Sequence, residues 1–485
     1  MKMVGRLFRD YRAEAAASLG LLLLYLAVMS GHFLSIDGLV MWRQAIAMTY
    51  HQSWSFVPPI WWGGYITSSG RGVGASLQYV PGLLVFPWLS GHVPVQPSAL
   101  YDYKLFYGDV LYIVAGAPVW AIMTAASAYL VGLITRALGF ERTQALWAMA
   151  FYGIGSPAFA ASRGDWPQPI VAICWAVGVY ASLRYRETRR HRWLCISGAA
   201  IVYAVLTRPL EGSLLLPGVL ILVVLPKWRD RLLVGVGQVG AWSAAALATL
   251  VFDWARFGSP FNFGYGGALR WTTPIWYGFP SALLSPGRGV LWEFPALMLA
   301  VLGIAYLWGH GHRIEAAALV SMPAALFLEA CTYFDWVGGW DWGFRFIQPA
   351  LPLLAAGAGA GIVTLPRSLR VWLPVVLLTG GILWNIPAIT TDLLAGYGAV
   401  YAENAPNWQL DAYPPIGAWR FLHHILPTSG LDGSSIDIVW FRATRVVGKI
   451  ALLPFAVLLA AAAAFWSLAL KAASRTRPWR LDDRS

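Results

Sequence analysis

The sequence predicts an all-α protein that crosses a membrane about twelve times, and three observations support this. Hydrophobic residues make up 58% of the chain and charged residues only 12%, with mean hydropathy +0.58, unlike a soluble domain. Apolar segments long enough to span a bilayer recur along the whole chain. Basic residues lie in short clusters between these segments, so the net charge of +12 indicates membrane orientation and not nucleic-acid binding.

Each predicted span is a mostly apolar run close to the roughly 20 residues that cross a bilayer. The spans are 14–34, 108–133, 144–162, 169–184, 193–207, 211–226, 232–252, 290–308, 314–331, 346–365, 371–390 and 447–470. A further candidate, Tyr79–Leu89, is short and contains Pro81 and Pro87, and we interpret it as re-entrant or interfacial. The expected count is therefore eleven to thirteen.

The distribution of charge predicts the orientation. With both termini in the cytoplasm, 22 of the 35 Lys and Arg residues lie inside, mostly in short loops. No small-x-small cleavage site follows the basic N-terminus, which we interpret as a retained anchor. The chain then forms one membrane domain, 1–485, whose long connections all lie outside. These are a first loop with interfacial helices (35–107), two loops that line a site (253–289 and 332–345) and a late loop or cap (391–446).

Asp37 is the first candidate for chemistry because it follows the first predicted span directly. A carboxylate there is costly against lipid and useful in a water-filled cavity, where it can act as a general base. The alternative is a helix-end carboxylate that faces water. The following stretch, 38–51, has the pattern of an amphipathic interfacial helix. The cysteines, Cys174, Cys195 and Cys331, lie in or beside apolar segments and have no metal-ligand spacing, so we interpret them as packing residues.

Other charged residues lie near predicted membrane exits. Asp165 lies in a short outside turn and Lys104 just before the second span, while Arg208 and Glu211 flank a hairpin and could simply neutralise each other. The stretch 65–81 is Gly-rich and basic, which is weak evidence by itself. The later loops place Arg288 and Arg345 with glycines at helix entrances, a pattern that suits phosphate binding. Their alternative is an aromatic belt with snorkelling arginines.

Several motifs together resemble the GT-C superfamily, the integral-membrane glycosyltransferases that use polyprenyl-phosphate sugars. The chain is similar to bacterial relatives of protein O-mannosyltransferases and of aminoarabinose lipid A transferases. The matching motifs are Ser35-Ile36-Asp37-Gly38, the Gly-rich loop that ends at Pro81, Arg256-Phe257-Gly258-Ser259-Pro260, Ser285-Pro286-Gly287-Arg288-Gly289, and the run from Gly338 to Arg345 with Pro349 and Pro352 behind it.

The resemblance implies a GT-C fold and roles for particular residues. Asp37 would be the catalytic base and Asp165 a second catalytic acid. The donor phosphate would be bound among Lys104, Arg208, Arg288 and Arg345, and Trp61, Trp340 and Trp342 would stack on sugar or lipid. Two features depart from the family. Gly38 stands where many relatives carry a second acid, and the Asp-x-Asp of metal-using oligosaccharyltransferases is missing, so no obligatory metal or other cofactor is expected.

The expected function is transfer of a hexose or pentose from a polyprenyl-phosphate donor to a hydroxyl on a lipid, glycan or protein, with inversion. It would take place on the outer face of a bacterial cytoplasmic membrane and build a cell-envelope glycolipid or related product. One alternative is a polysaccharide polymerase or ligase that uses a diphosphate-linked donor, since the late loop contains Arg420, His423 and His424. A transporter is a further alternative, but it would need carboxylates in mid-helix and two matching halves, which the sequence lacks.

Overall fold

The computed structural model describes residues 11–55, 60–61, 65–66, 71–88, 110–263, 270–338, 342–390, 408 and 436–474. Over these residues the chain is helical, apart from one small antiparallel hairpin of β1 (Ile60–Trp61) and β2 (Tyr65–Ile66). The hairpin pairs Ile60 with Ile66 and Trp61 with Tyr65. It lies in the predicted first outside loop, where the sequence predicted helices only.

Twenty α-helices follow one another along the described chain. They are α1 (Arg12–Val28), α2 (Ile36–Tyr50), α3 (Val73–Leu77), α4 (Val80–Val85), α5 (Ala117–Ala137), α6 (Arg142–Gly153), α7 (Ala158–Ala161), α8 (Gln168–Thr188), α9 (Arg192–Thr207), α10 (Pro209–Ser213), α11 (Leu215–Val223), α12 (Trp228–Phe257), α13 (Ile275–Leu284), α14 (Val290–Glu293), α15 (Leu297–Gly309), α16 (Arg313–Thr332), α17 (Leu351–Gly361), α18 (Leu369–Thr390), α19 (Val439–Val447) and α20 (Leu452–Ser474). A π-helical turn, Tyr112–Gly116, leads into α5, and a 3₁₀ turn, Arg345–Ala350, leads into α17.

Six helical stretches among the described residues are long and apolar enough to cross a membrane. They are Tyr112–Ala137, Arg231–Phe257, Arg313–Thr332, Arg345–Thr364, Leu369–Thr390 and Gly448–Ser474. The prediction of an all-α, multi-helix membrane protein is confirmed, whereas the count of about twelve stays a prediction. One reason for the difference is that predicted spans 193–207 and 211–226 correspond to shorter apolar helices that meet at Pro209. Val80–Val85, within the candidate Tyr79–Leu89, is far too short to span.

The core is built on close helix contacts. The helix α1 packs along α20, α9 lies between α8 and α12, and α15 packs on α17. The last pair meets through glycines: a Cβ on Gly303 would lie 2.0 Å from the Gly357 carbonyl oxygen, and one on Gly361 2.0 Å from that of Leu299. Small residues permit such backbone approach in membrane proteins. Every residue of α17 is buried, so this helix lies at the centre of the molecule.

The helix α2 is packed into the protein, and its polar side does not face solvent. Its apolar residues join a buried aromatic cluster in which Trp42 contacts Tyr79 and Tyr112 edge-on. Gln44, which the sequence placed on the polar face, is fully buried and donates a hydrogen bond to the Trp54 carbonyl at 2.8 Å. The expected amphipathic interfacial helix is therefore a buried one, and this rigid packing fixes the residues at its N-terminus.

Candidate active site

Asp37 lies in the first turn of α2, immediately after a capped helix start. The hydroxyl of the N-cap residue Ser35 accepts a hydrogen bond from the Gly38 amide at 3.0 Å. A serine at this position satisfies one of the free amide groups of the first turn, and an acid in that turn interacts favourably with the helix dipole. The Ser35 cap therefore fixes the position of Asp37 in the first turn of α2. The positive end of the helix dipole favours the ionised form of the Asp37 carboxyl group.

Two arginines converge on the Asp37 carboxylate. Arg71 forms an ion pair with Oδ1, and Nη1 of Arg345 lies 3.7 Å from Oδ2. Burial tends to raise the pKa of Asp37, but the charges of Arg71 and Arg345, together with that of Arg208, outweigh it and hold the pKa below its ordinary value. The side chain of Asp37 is 10% exposed. The result is an ionised carboxylate in a partly buried cluster of cations.

The backbone of Arg71 is held by Arg256, which forms an ion pair of its own. Arg256 donates a hydrogen bond from Nη1 to the Arg71 carbonyl oxygen at 3.0 Å and forms an ion pair with Asp253. Its guanidinium also lies over the rings of Phe252 and Phe257, at 3.9 and 4.6 Å from their centroids. Arg256 belongs to one of the motifs singled out from the sequence, and in this structure that motif supports Arg71.

Arg208 approaches the same cluster from the turn between α9 and α10, where it forms an ion pair with Glu211. Glycines bring the two turns together, because a Cβ on Gly72 would lie 2.2 Å from the Leu206 carbonyl oxygen. Tyr203 adds a hydrogen bond from its hydroxyl to the Gly74 carbonyl oxygen at 2.9 Å. Close packing against the end of α9 thus explains the glycines at positions 72 and 74 of this Gly-rich stretch.

Arg288 and a buried glutamate build the loop that carries Arg345. Arg288 donates from Nη1 to the Gly343 carbonyl oxygen at 2.7 Å, and Glu293 accepts a hydrogen bond from the Phe344 amide at 2.6 Å. Gly343 has φ +72°, and a Cβ there would lie 2.6 Å from the Glu293 carboxylate. Arg288 is buried and in this structure it supports Arg345, while its predicted contact with phosphate stays a prediction.

Asp165 is fully buried against the segment that leads into α2. Its Oδ2 accepts a hydrogen bond from the Leu34 amide at 3.0 Å, and its Oδ1 accepts one from the Ser35 hydroxyl at 2.7 Å. A Cβ on Gly38 would lie 2.0 Å from Oδ2. This contact explains the departure from the family pattern at position 38, because a second acid there would overlap the carboxylate of Asp165.

Burial raises the pKa of Asp165 to about 8; hydrogen bonds from Ser35 and Leu34 oppose this shift, and the charge of Asp37 adds to it. Asp165 therefore carries a proton at neutral pH, and Asp37 is the ionised member of the pair. Two buried carboxyl groups with pKa values moved apart in this way are typical of functional sites.

Asp165→Asn tests whether Asp165 positions the α2 entrance or reacts directly. The amide oxygen can still accept from the Leu34 amide, while the NH₂ group replaces the oxygen that accepts from the Ser35 hydroxyl, so the variant stays uncharged and loses one neutral hydrogen bond. If Asp165 acts by position, turnover at pH 7 should fall by less than about tenfold, the scale of one neutral hydrogen bond. A fall of about 10²–10⁴ would instead indicate proton transfer by Asp165.

The same variant also tests how the stability of the wild-type protein depends on pH. Native Asp165 keeps a proton that the unfolded chain releases above its ordinary pKa near 4, so wild-type stability should decline as pH rises until about 8. The melting temperature of Asp165→Asn should lack this contribution. Melting curves of both proteins between about pH 5 and 8.5 measure it, and parallel curves would contradict the assignment.

Of the other predicted site residues, Trp342 lies in a buried apolar cluster with Leu34 and Trp166, and the rest are outside the described residues or described by their backbone alone. Trp342 is buried and packs against Trp384, with ring centroids 4.9 Å apart. Lys104 and Trp340 lie outside the described residues, and only the backbone of Trp61 is described. Their roles stay predictions. Among the described residues no group of three His, Cys, Asp or Glu side chains could hold a metal, and the expectation of a metal-independent reaction also stays a prediction.

Sequence reasoning missed Arg71 as a partner of Asp37, and Glu293 and Asp253 as supports. The signal for Arg71 was present, since it is a lone cation within a Gly-rich stretch of the first loop. Glu293 is the last residue of α14 and lies two positions before Pro295, and an acid in an otherwise apolar run was a visible indication of a buried partner. The partners of Arg71 and Glu293 are distant in sequence, so no spacing could identify them, whereas Asp253 pairs with Arg256 three residues later.

Part of the sequence matches a known family, and the fold is similar to solved structures. A profile of the family described as dolichyl-phosphate-mannose-protein mannosyltransferase matches residues 103–254. No protein of curated function matches the sequence significantly. The fold is similar to that of ArnT from Cupriavidus metallidurans in the apo state, at 16% identity and TM-score 0.52, covering 97% of this chain and 77% of ArnT. The same enzyme bound to undecaprenyl phosphate gives TM-score 0.50 at 16% identity, over 95% and 76% of the two chains.

A second similar structure is the oligosaccharyltransferase AglB from Archaeoglobus fulgidus in complex with an inhibitory peptide and a dolichol-phosphate. It shares 13% identity at TM-score 0.51, over 94% of this chain and 56% of AglB. Together with the family match over residues 103–254, these similarities confirm the predicted resemblance: the fold of this chain is similar to those of ArnT and AglB over most of its length.

Proposed function

We propose that this enzyme transfers a sugar from a polyprenyl-phosphate donor to a hydroxyl acceptor on the outer face of a bacterial cytoplasmic membrane. Asp37 is the general base, and Arg71, Arg208 and Arg345 bind the donor phosphate. The observation that carries the proposal is the convergence of arginines from three separate segments on one carboxylate that follows the first helix. The matched structures support a lipid-phosphate donor, since ArnT is bound to undecaprenyl phosphate and AglB is in complex with a dolichol-phosphate.

Charge supports a phosphodiester donor. Arg71, Arg208 and Arg345 contribute three positive charges, and the two carboxyl groups paired with them, Asp37 and Glu211, contribute at most two negative charges. This set therefore keeps at least one excess positive charge, which suits the single negative charge of a prenyl-phosphate sugar. Arginine suits this ligand because its planar guanidinium binds phosphate oxygens in pairs.

The transfer step follows from the same arrangement. The acceptor oxygen attacks the anomeric carbon as its proton passes to Asp37, and the bond from that carbon to the phosphate oxygen breaks with its electrons going to the phosphate. The departing prenyl phosphate gains a second negative charge, which the three arginines stabilise where it develops. Attack from the face opposite the phosphate inverts the anomeric centre.

Donor binding also prepares the base. In the free protein the arginines lower the pKa of Asp37 and make it a weak base. A bound phosphate competes for Arg71 and Arg345, which returns the pKa of Asp37 toward its ordinary value and frees its oxygens for an acceptor. The Asp37 carboxylate is therefore a stronger base when the donor is bound than when the site is empty.

The testing experiment is release of polyprenyl phosphate by the purified protein in nanodiscs, with a panel of short-chain polyprenyl-phosphate sugars and acceptor lipids and glycans. Release that requires one sugar and an acceptor, and that Asp37→Asn abolishes, supports the proposal and identifies the donor. Folded protein that releases nothing from this panel, but acts on diphosphate-linked donors, would instead indicate a polymerase or ligase.

A further inference from the structure

A second buried ionic cluster lies near the α2 entrance, away from the proposed phosphate ligands. Asp437, just before α19, is at its centre. Its Oδ1 accepts hydrogen bonds from His32 Nε2 at 2.7 Å and from Arg442 Nη1 at 2.8 Å. Its Oδ2 accepts one from Arg163 Nη2 at 2.6 Å. The side chains of Asp437, His32 and Arg163 are almost completely buried.

Backbone contacts make this cluster a junction of four chain segments. The Asp437 amide donates to the Thr390 carbonyl oxygen at 2.8 Å, which ties the segment to the end of α18. Arg163 donates to the Ala388 carbonyl oxygen at 2.6 Å, and Arg442 donates to that of Ser30. The exit of α1, the turn after α7, the end of α18 and the start of α19 therefore meet at one carboxylate.

Two of these segments, the exit of α1 and the turn after α7, also contact each other at the active site. His32 lies in the exit segment that continues through Leu34 and Ser35 to Asp37, and Arg163 lies in the turn that also carries Asp165. Asp165 binds the Leu34 amide and the Ser35 hydroxyl, while Asp437 binds His32 and Arg163. The segment that leads to Asp37 is thus fastened to the same turn on both sides of Phe33.

We propose that Asp437 is a positioning residue for the transfer reaction, which holds the exit segment so that Asp37 meets the acceptor hydroxyl at the right place. This inference rests on the proposed function. Nothing in the proposed chemistry requires Asp437 to contact substrate. Its effect passes through His32 and Arg163 to the segment whose far end carries the base.

The charges explain why an aspartate is needed at this junction. Both partners of the His32 ring, the Phe33 carbonyl oxygen at Nδ1 and the Asp437 carboxylate at Nε2, are acceptors, so the ring donates from both nitrogens in this arrangement. Burial would raise the pKa of Asp437, but His32, Arg163 and Arg442 hold it well below its ordinary value. Removing this one negative charge leaves three cationic groups facing each other in a buried space.

Asp437→Asn tests the inference, because asparagine keeps the size and one acceptor but removes the charge. We expect kcat to fall by about tenfold or more, since displacement of a reacting group by 1 Å costs up to about 10²-fold. The dissociation constant of a short-chain polyprenyl phosphate, measured separately, should change by less than about twofold, because Arg71 and Arg345 are held by other contacts. Asp437→Glu, which restores the charge, should recover part of the lost kcat.

Wild type, Asp37→Asn and Glu187→Gln are measured in parallel. Glu187 pairs with Arg184 near the opposite end of α8 and serves as an acid whose neutralisation leaves turnover unchanged. If wild type transfers sugar and Asp437→Asn matches it in kcat, the inference fails while the proposed function stands. Equal losses of turnover and prenyl-phosphate binding would also overturn it. If wild type transfers from no donor, the proposed function fails first and the inference falls with it.

If Asp437→Asn does not fold, Arg442→Gln provides a milder test. Arg442 lies at the edge of the cluster with 22% of its side chain exposed, and Asp437 would keep His32 and Arg163 as partners. We expect a fall in kcat of about three- to tenfold, the scale of one ordinary hydrogen bond, because Arg442 is partly exposed and glutamine can still donate. Prenyl-phosphate binding should be unchanged. Unchanged kcat in this folded variant would overturn the inference.

Discussion

Asp37→Asn is expected to lower kcat for sugar transfer by about 10²–10⁴-fold, the usual effect of losing a general base. Asparagine has nearly the same shape and leaves the Ser35 cap of α2 in place, but its amide cannot take a proton from the acceptor. The measurement is steady-state release of polyprenyl phosphate from the donor identified by the panel, with protein in nanodiscs and with melting temperature as the check on folding.

Binding should separate this loss from a general disruption of the site. In the variant, Arg71 and Arg345 no longer share a carboxylate, so they remain available for phosphate. The dissociation constant of polyprenyl phosphate should therefore stay the same or decrease. Glu187→Gln is the matched control, because it also neutralises an acid that is paired with an arginine. Near-normal turnover in a folded Asp37→Asn protein would remove Asp37 from the role of base.

The dependence of kcat/KM on pH adds a second observable. Because the pKa of Asp37 is held below its ordinary value, the free enzyme keeps this base ionised across about pH 5–8. The pKa of Asp37 should therefore not limit kcat/KM in that range. A loss of kcat/KM below about pH 6 in wild type would indicate that another group sets the acidic limb of the profile.

The fold class could be predicted from composition and hydropathy because lipid allows few solutions for the backbone. A chain with long apolar runs and few charges must form helices there. The number of spans was harder, because apolar runs also form helices that are buried inside the protein. The stretch Pro209–Val223 is an example: its sequence is apolar, but its helices are too short to count as a span. Hydropathy alone does not distinguish burial in protein from exposure to lipid.

The candidate base was accessible from the sequence because its signal is local. An acid directly after an apolar run is rare and has to be explained, and Ser35 and Gly38 beside it indicate a capped helix start. The cations around it were only partly predictable. Arg345 was named for its position at a helix entrance and Arg208 for its hairpin between two apolar runs, whereas Arg71 depends on a hydrogen bond from a residue 185 positions away. Such contacts depend on the tertiary fold.

Asp165 and Arg288 show the other limit of sequence reasoning. Both were chosen for charge near a membrane exit, and the structure places both in buried contacts with the backbone of segments that carry other site residues. A charge that binds substrate and a charge that holds a loop have the same sequence signature. Only the direction of the side chain in the folded protein separates these two roles.

Arg71→Gln is expected to lower kcat/KM by about 10- to 100-fold, because a hydrogen bond to a charged group contributes about 1.5–3 kcal/mol. Arg71 acts on both partners of the reaction in the proposed mechanism, as a ligand of the donor phosphate and as the ion-pair partner of Asp37. The Michaelis constant for the donor should rise, and kcat should fall as the departing phosphate loses a cation. Arg71→Lys keeps the charge without the planar fork and should lie between the variant and wild type.

The pH profile distinguishes this double role from simple loss of binding. The charge of Arg71 lowers the pKa of Asp37, so its removal should raise that pKa and move the acidic limb of kcat/KM to higher pH. Activity would then be lost on the acidic side at a pH where wild type remains active. Arg184→Gln, which breaks an ion pair near the far end of α8, is the control and should leave the profile unchanged. If the Michaelis constant rises but the acidic limb does not move, Arg71 acts only as a ligand of the phosphate. The pKa of Asp37 would then be set by Arg345 and Arg208.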